Sequence, residues 1–219
     1  MKYVFFDLDG TLCDTITDIT DSLNRALQAH GYPTFTSEQV KAMVGKSIAY
    51  MCQRAMPKGH ENDWEIVKQD YFADYSEHLC DKTRPYEGIT EAVNALKAKG
   101  YTLAVVTNKP HAHAVKIVRE LFAHHGDVFS AVQGQAPKFL TKPDPESLLF
   151  VMKNLGATQQ NSVYIGDSDT DIQFAKNTGI KSIGVSWGYR PVELLKQTGA
   201  TAIAKSPDTL AALIEELLN

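Results

Sequence analysis

Short apolar runs alternate along this chain with longer stretches whose apolar residues recur every three or four positions. Tyr3-Val4-Phe5-Phe6, Leu103 to Val106, Val163 to Ile165 and Ser182 to Val185 read as buried strands, with Phe129 to Val132 and Thr201 to Ile203 as weaker ones. Each is short, rich in β-branched or aromatic residues, and closed by polar or glycine punctuation. Between them Ile89, Ala92, Val93 and Leu96 keep a helical spacing that stops at Gly100. Ala114, Val115, Val118, Leu121 and Phe122 repeat it, as do Leu148, Leu149, Met152 and Leu155 before Gly156. Leu210, Leu213, Ile214 and Leu217 form a last helix behind the start signal Ser206-Pro207. Strand–helix alternation of this kind predicts an α/β fold with a parallel sheet covered on both faces.

Residues 15–85 break the rhythm. Ile16, Ile19, Leu23, Ala26 and Leu27 predict one amphipathic helix, and Trp64, Val67, Tyr71, Tyr75 and Leu79 another. Val40 to Met56 reads as shorter helices interrupted at Gly45, and no convincing strand occurs. The expected organisation is therefore a core of residues 1–14 and 86–219 with a helical domain, 15–85, inserted after the first strand. The return segment Arg84-Pro85-Tyr86-Glu87-Gly88 has the composition of a hinge.

Composition narrows the partners. With 219 residues, 43% hydrophobic and 22% charged, the chain can bury a substantial core and is not expected to be disordered. A net charge of −4 without a Lys/Arg run gives no reason to expect nucleic acid. Cys13, Cys52 and Cys80 form neither a disulfide framework nor a zinc pattern. The run Tyr3 to Phe6 is too short for a signal peptide, and no window reaches the ~18 apolar residues of a membrane helix. A cytoplasmic protein, monomer or homodimer, is expected.

The candidate chemistry lies at strand ends. Asp7 and Asp9, in Asp7-Leu8-Asp9-Gly10-Thr11, leave the first strand on the same side. So close, they need a cation between them or a shared proton, unless they merely cap the next helix. Gly166-Asp167-Ser168-Asp169-Thr170-Asp171 follows another strand. One helix N-terminus accounts for one of these three acids; a hard cation such as magnesium accounts for the surplus. Thr107-Asn108-Lys109 supplies a hydroxyl, an amide and backbone N–H groups, and Lys142 supplies a cation, though a lone lysine is most often a solvated one. A hydroxyl donor and a cation beside clustered acids point to a phosphate site.

These segments together resemble the haloacid dehalogenase superfamily of phosphohydrolases. Its four motifs occur in order as Asp7-x-Asp9-Gly10-Thr11, Thr107, Lys142 and Gly166-Asp167-x-x-x-Asp171. The resemblance spans essentially the whole chain and implies a Rossmann-like three-layer core with an inserted all-α cap. It implies that Asp7 is the nucleophile, forming an aspartyl-phosphate, and that Asp9 protonates the leaving oxygen and later takes a proton from water. It further implies Mg2+ held by Asp7, the Asp9 backbone carbonyl and Asp167, with Asp171 orienting a bound water or Asp167. Thr107, the Asn108 backbone N–H and Lys142 would hold the phosphoryl oxygens of a small phosphorylated metabolite. An acid at Asp9 favours phosphoryl transfer over dehalogenation, because a halide leaves without a proton.

Within that superfamily Val106 to Pro110, Lys142 to Pro145 and Gly166 to Ser168 look like the phosphoglycolate phosphatase group, while Val132 to Leu140 lacks the paired acids or arginine expected there. Pyrophosphatase, sugar-phosphate phosphatase, a β-phosphoglucomutase-type mutase and a non-catalytic regulatory protein are the alternatives. In the cap, Lys46 or Arg54 could meet the leaving group. Gly45-Lys46-Ser47 is not a P-loop, because Val40 stands where that loop needs glycine. His111, His113, His124 and His125 receive no catalytic role; the last two suit a helix end.

Overall fold

The computed structural model describes residues 1–122 and 126–219, so His124 and His125 lie outside the described residues. It divides into two compact units, residues 1–14 with 85–219 and residues 15–84.

The first unit is built on β1 (Tyr3–Phe6), which runs into a two-residue β2 (Cys13–Asp14). The chain returns at β3 (Arg84–Pro85). Then come α5 (Ile89–Ala98), β4 (Thr102–Pro110), α6 (His111–Phe122), β5 (Ala131–Gln135), α7 (Glu146–Leu155) and β6 (Ser162–Gly166). The unit ends with α8 (Asp169–Thr178), β7 (Lys181–Val185), α9 (Val192–Thr198), β8 (Ala202–Ala204) and α10 (Leu210–Leu218). Among the described residues six strands make one sheet in the order β5-β4-β1-β6-β7-β8. Every neighbouring pair is parallel.

The apolar runs became strands because both faces of this sheet are covered. Tyr3 and Phe5 point to one face and join Val106, Tyr164, Leu148, Met152 and Phe174 in a buried cluster with α7 and α8. Phe6 points the other way, 6.1 Å from Phe129, whose ring is in turn 5.4 Å from Phe122 of α6. With helices on both sides, this is the Rossmann-like three-layer arrangement. The order reverses at β1: the chain first proceeds outward through β4 and β5, then returns to build β6, β7 and β8 on the other side. Beyond the carboxyl end of β1 lies the crevice in which open parallel sheets bind ligands.

Two strands differ most from their expected bounds. The edge strand starts at Ala131 rather than Phe129, because Phe129 spends its ring on Phe6 and Phe122. The central strand continues past Val106 to Pro110 through a register shift: Val106 pairs with Gln133, while Pro110 pairs with Gln135. The two extra residues form a bulge, a device that re-aims side chains at the end of a strand.

The second unit holds α1 (Ile16–Ala29), α2 (Ser37–Lys41), α3 (Ile48–Ala55) and α4 (Trp64–Glu77). Ile19, Leu23 and Leu27 of α1 are buried, as are Met51 and Cys52 of α3 and Val67, Tyr71 and Tyr75 of α4. Arg25 clamps Asp74 through two hydrogen bonds of 2.8 and 2.6 Å. Asp18, also buried, accepts hydrogen bonds from the backbone N–H of Lys82 and Thr83 and from the Thr83 hydroxyl. That carboxylate ties the start of the unit to its end. Ser47 caps α3 and Lys46 sits 4.5 Å above the Tyr50 ring, so Gly45-Lys46-Ser47 is a helix start here. No helix of the described residues is long and apolar enough to cross a membrane.

Candidate active site

Four segments converge at the carboxyl ends of β1, β4 and β6. Asp7 follows β1, where its N–H donates to the Ile165 carbonyl at 2.9 Å. The next turn is tight: Gly10 has φ +79°, and a Cβ there would lie 2.4 Å from Asp167 Oδ2. Thr11 then donates its hydroxyl to Asp167 Oδ1 at 3.2 Å. The turn therefore fixes Asp7 against Asp167 instead of simply starting a helix.

Lys142 is not a solvated lysine. Its ammonium is buried, 2.6 Å from Asp171 Oδ1, 3.0 Å from the Tyr164 hydroxyl and 2.9 Å from Asp7 Oδ1. The last contact is a close approach without hydrogen-bond alignment, which leaves Asp7 Oδ1 as a buried acceptor without a hydrogen bond. Burial by itself would lower the Lys142 pKa; Asp171 and Asp7 outweigh it and hold the ammonium at about 12. Asn108 secures the backbone of this lysine, accepting from Lys142 N–H at 2.7 Å. Its side chain is thus a brace for Lys142. Thr107 is buried beside Asp7, and its hydroxyl pulls the Asp7 pKa down.

Asp171 combines two tasks. It stands at the third position of α8 and forms a reciprocal capping box with Ser168, whose hydroxyl donates to Asp171 Oδ2 at 2.6 Å. Its other oxygen takes Lys142. Asp169, 3.9 Å from Arg190, is half exposed and outside the cluster. Asp167 accepts from Thr11 and, at 2.8 Å, from the backbone N–H of Tyr189 in the loop after β7.

The acids outnumber the cation among them. Carboxylate oxygens of Asp7, Asp167 and Asp171 all lie within 4.8 Å of one another, buried. Burial and repulsion from Asp171 push Asp7 up to about 7, against the pull of Lys142 and Thr107. Burial, Asp171 and Asp7 push Asp167 up to about 8. Such an array is relieved by a hard cation, and the residues fit one: oxygen donors only, and one buried Asp7 oxygen without a hydrogen bond. The oxygens of Asp171 serve Lys142 and Ser168, and those of Asp167 serve the neutral donors Thr11 and Tyr189.

Residues 4–185 match the sequence description of haloacid dehalogenase-like hydrolases. The chain belongs to the haloacid dehalogenase-like hydrolase family. It is 33% identical to a phosphoglycolate phosphatase of Agrobacterium fabrum, over 98% of this chain and 93% of that one. It is 32% identical to an N-acetylmuramic acid 6-phosphate phosphatase of Pseudomonas aeruginosa, over 100% and 96%. A solved structure of a candidate phosphoglycolate phosphatase from Lactobacillus delbrueckii subsp. bulgaricus superposes with a TM-score of 0.89 at 32% identity, covering 98% of this chain and 99% of that one. This member of the haloacid dehalogenase-like hydrolases is thus an enzyme.

Several residues around the site escape motif reading. Tyr164 supports Lys142 from below and donates to the Val106 carbonyl at 2.6 Å. Lys109 is buried against Asp9. His111 Nδ1 accepts the Gly134 N–H, a structural task. His113 is buried, and burial followed by Lys109 pushes its pKa down to about 4.

The loop carrying Tyr189 is packed without clearance: a Cβ on Gly188 would lie 2.1 Å from Asp167 Cβ and 2.6 Å from the Gly10 carbonyl. Gly188→Ala is expected to push this loop off Asp167 and cost ~1–3 kcal/mol through overpacking. Calorimetric Tm checks this; an unchanged Tm would mean the loop yields freely.

Proposed function

We propose that this enzyme is a Mg2+-dependent phosphatase that cleaves a small phosphomonoester through an aspartyl-phosphate on Asp7. The observation that carries the reading is the buried Asp7 carboxylate set between Lys142, Thr107 and Asp167 at the sheet's switch point. Asp7 attacks phosphorus, and its new O–P bond forms as the leaving oxygen takes the electron pair of the breaking bond. Asp9 supplies that oxygen with a proton, then accepts one from the water that hydrolyses the acyl phosphate. Thr107, the Asn108 N–H and Lys142 hold the phosphoryl oxygens, where charge spreads in the transition state. Asp7, the Asp9 carbonyl and Asp167 hold the magnesium ion, with Asp171 orienting. Bound there, the ion supplies charge neutralisation for the transferring group.

Phosphoglycolate is the preferred substrate in this reading, by similarity to the Agrobacterium enzyme. A sugar phosphate is the second, by similarity to the Pseudomonas one. Release of inorganic phosphate from phosphoglycolate, N-acetylmuramic acid 6-phosphate, other sugar phosphates, pyrophosphate and nucleotides, with magnesium, tests both. Isomerisation of a sugar phosphate without phosphate release would replace the phosphatase reading by a mutase; turnover of none would overturn it.

A further inference from the structure

Each of the two acids after β1 has its own lysine. Asp7 lies against Lys142, and Asp9 lies against Lys109, whose Nζ is 2.9 Å from Asp9 Oδ1 and 3.2 Å from Oδ2. The Lys109 side chain is 3% exposed and that of Asp9 13%. An ammonium buried to this degree is costly unless a counter-charge meets it, and truncating one partner of such a pair is strongly disruptive. Lys109 has that counter-charge in both oxygens of one carboxylate. Its main chain is set by the β4 bulge, where its N–H donates to the Thr107 hydroxyl oxygen at 3.2 Å. The bulge therefore does two things: it turns Thr107 to Asp7 and delivers Lys109 to Asp9.

We propose that Lys109 is a positioning residue that fixes the carboxylate of Asp9 in the place from which it serves the leaving oxygen. The proposal rests on the phosphatase reading for the role of Asp9. It differs from a phosphate-binding role, because the ammonium is engaged by Asp9 through both oxygens. It differs from a purely structural role, because a misplaced acid matters only where the leaving group needs a proton.

That difference supplies the test. kcat/KM reports steps through departure of the leaving group, in which the Asp7 oxygen–phosphorus bond forms, the ester bond breaks and Asp9 gives its proton to the departing oxygen. An alkyl phosphate such as phosphoglycolate needs that proton; p-nitrophenyl phosphate, with a stable phenolate, does not. Lys109→Met is expected to lower kcat/KM about 100-fold on phosphoglycolate, the scale of a small misplacement, and by only a few-fold on p-nitrophenyl phosphate. In an Asp9→Asn background the extra loss on the alkyl substrate should vanish, because residues acting as one unit are non-additive. Lys109→Arg, which keeps the charge but moves it, should show a smaller split of the same sign and serves if Lys109→Met does not fold. Equal losses on the two substrates, or an undiminished loss on top of Asp9→Asn, would overturn the proposal. If the wild-type enzyme hydrolyses neither ester, the alkyl substrate is replaced by whichever phosphomonoester of the panel above it turns over, and turnover of none is failure of the phosphatase reading itself. The crystal structure of Lys109→Met then decides the positional claim: a displaced Asp9 carboxylate supports it and an unmoved one overturns it.

Discussion

Asp7→Asn is expected to lower kcat by about five orders of magnitude or more, the scale seen when a nucleophile is removed, while the folded protein gains stability. The two effects share one cause. Burial and repulsion from Asp171 disfavour the ionised Asp7 carboxylate, and an amide removes that charge. Without metal, Asp7→Asn should therefore melt a few degrees higher than wild type at pH 8. At pH 5 the difference should shrink, since wild-type Asp7 keeps its proton there. Phosphate release and calorimetry on the same preparation separate loss of chemistry from loss of fold. Retained turnover would remove the covalent step from Asp7.

Removing magnesium is expected to cost three orders of magnitude or so in turnover, because charge on the transferring group then lacks its counter-ion. Stability should carry the same information with a definite sign. Asp7 and Asp167 stand at about 7 and about 8 in the metal-free fold, against 3.8 for an ordinary aspartate. Between pH 4 and pH 8 the unfolded chain has released these protons while the folded site still holds them. Metal-free protein thus loses stability as pH rises through that window. The ion binds the deprotonated acids, so its stabilisation grows with pH. A hundredfold excess over Kd should raise Tm by about 5–10 °C at pH 8 and by distinctly less at pH 5.5. A magnesium shift independent of pH would show that these acids do not hold the ion.

The strands were legible wherever burial on both faces forces a continuous apolar run, as in Tyr3–Phe6 and Ser162–Ile165. Legibility failed where a residue's partner is remote. Strand β4 is expected to end at Val106 because the residues after it are polar, and the bulge that carries it on to Pro110 has no local sequence mark. Phe129 read as strand because its bulk is apolar, yet it packs two rings from outside the sheet. The acid cluster at Asp167 reads as holding one helix cap, and the acid in that cap is Asp171, in a capping box with Ser168. For the site, motif order brought Asp7, Asp167, Asp171, Thr107 and Lys142 to one place. Spacing carried no hint that Lys109 meets Asp9, a hundred residues away, or that Asn108 turns its side chain to the Lys142 backbone. Such contacts arise only after the sheet has folded.

The place of β1 in the sheet also governs how the protein comes into being. Tyr3–Phe6 is made well before its hydrogen-bonding neighbours, which begin at Thr102 and Ser162. At ~5–20 residues per second on the ribosome, the first neighbour follows about 5–20 s later. For that interval the nascent chain carries an apolar strand with both edges open, the kind of segment that chaperones shield. The backbone N–H of Tyr189 joins Asp167 later still, so Asp7 is made long before the residue that completes the partners of Asp167, and a stalled chain would expose its future core.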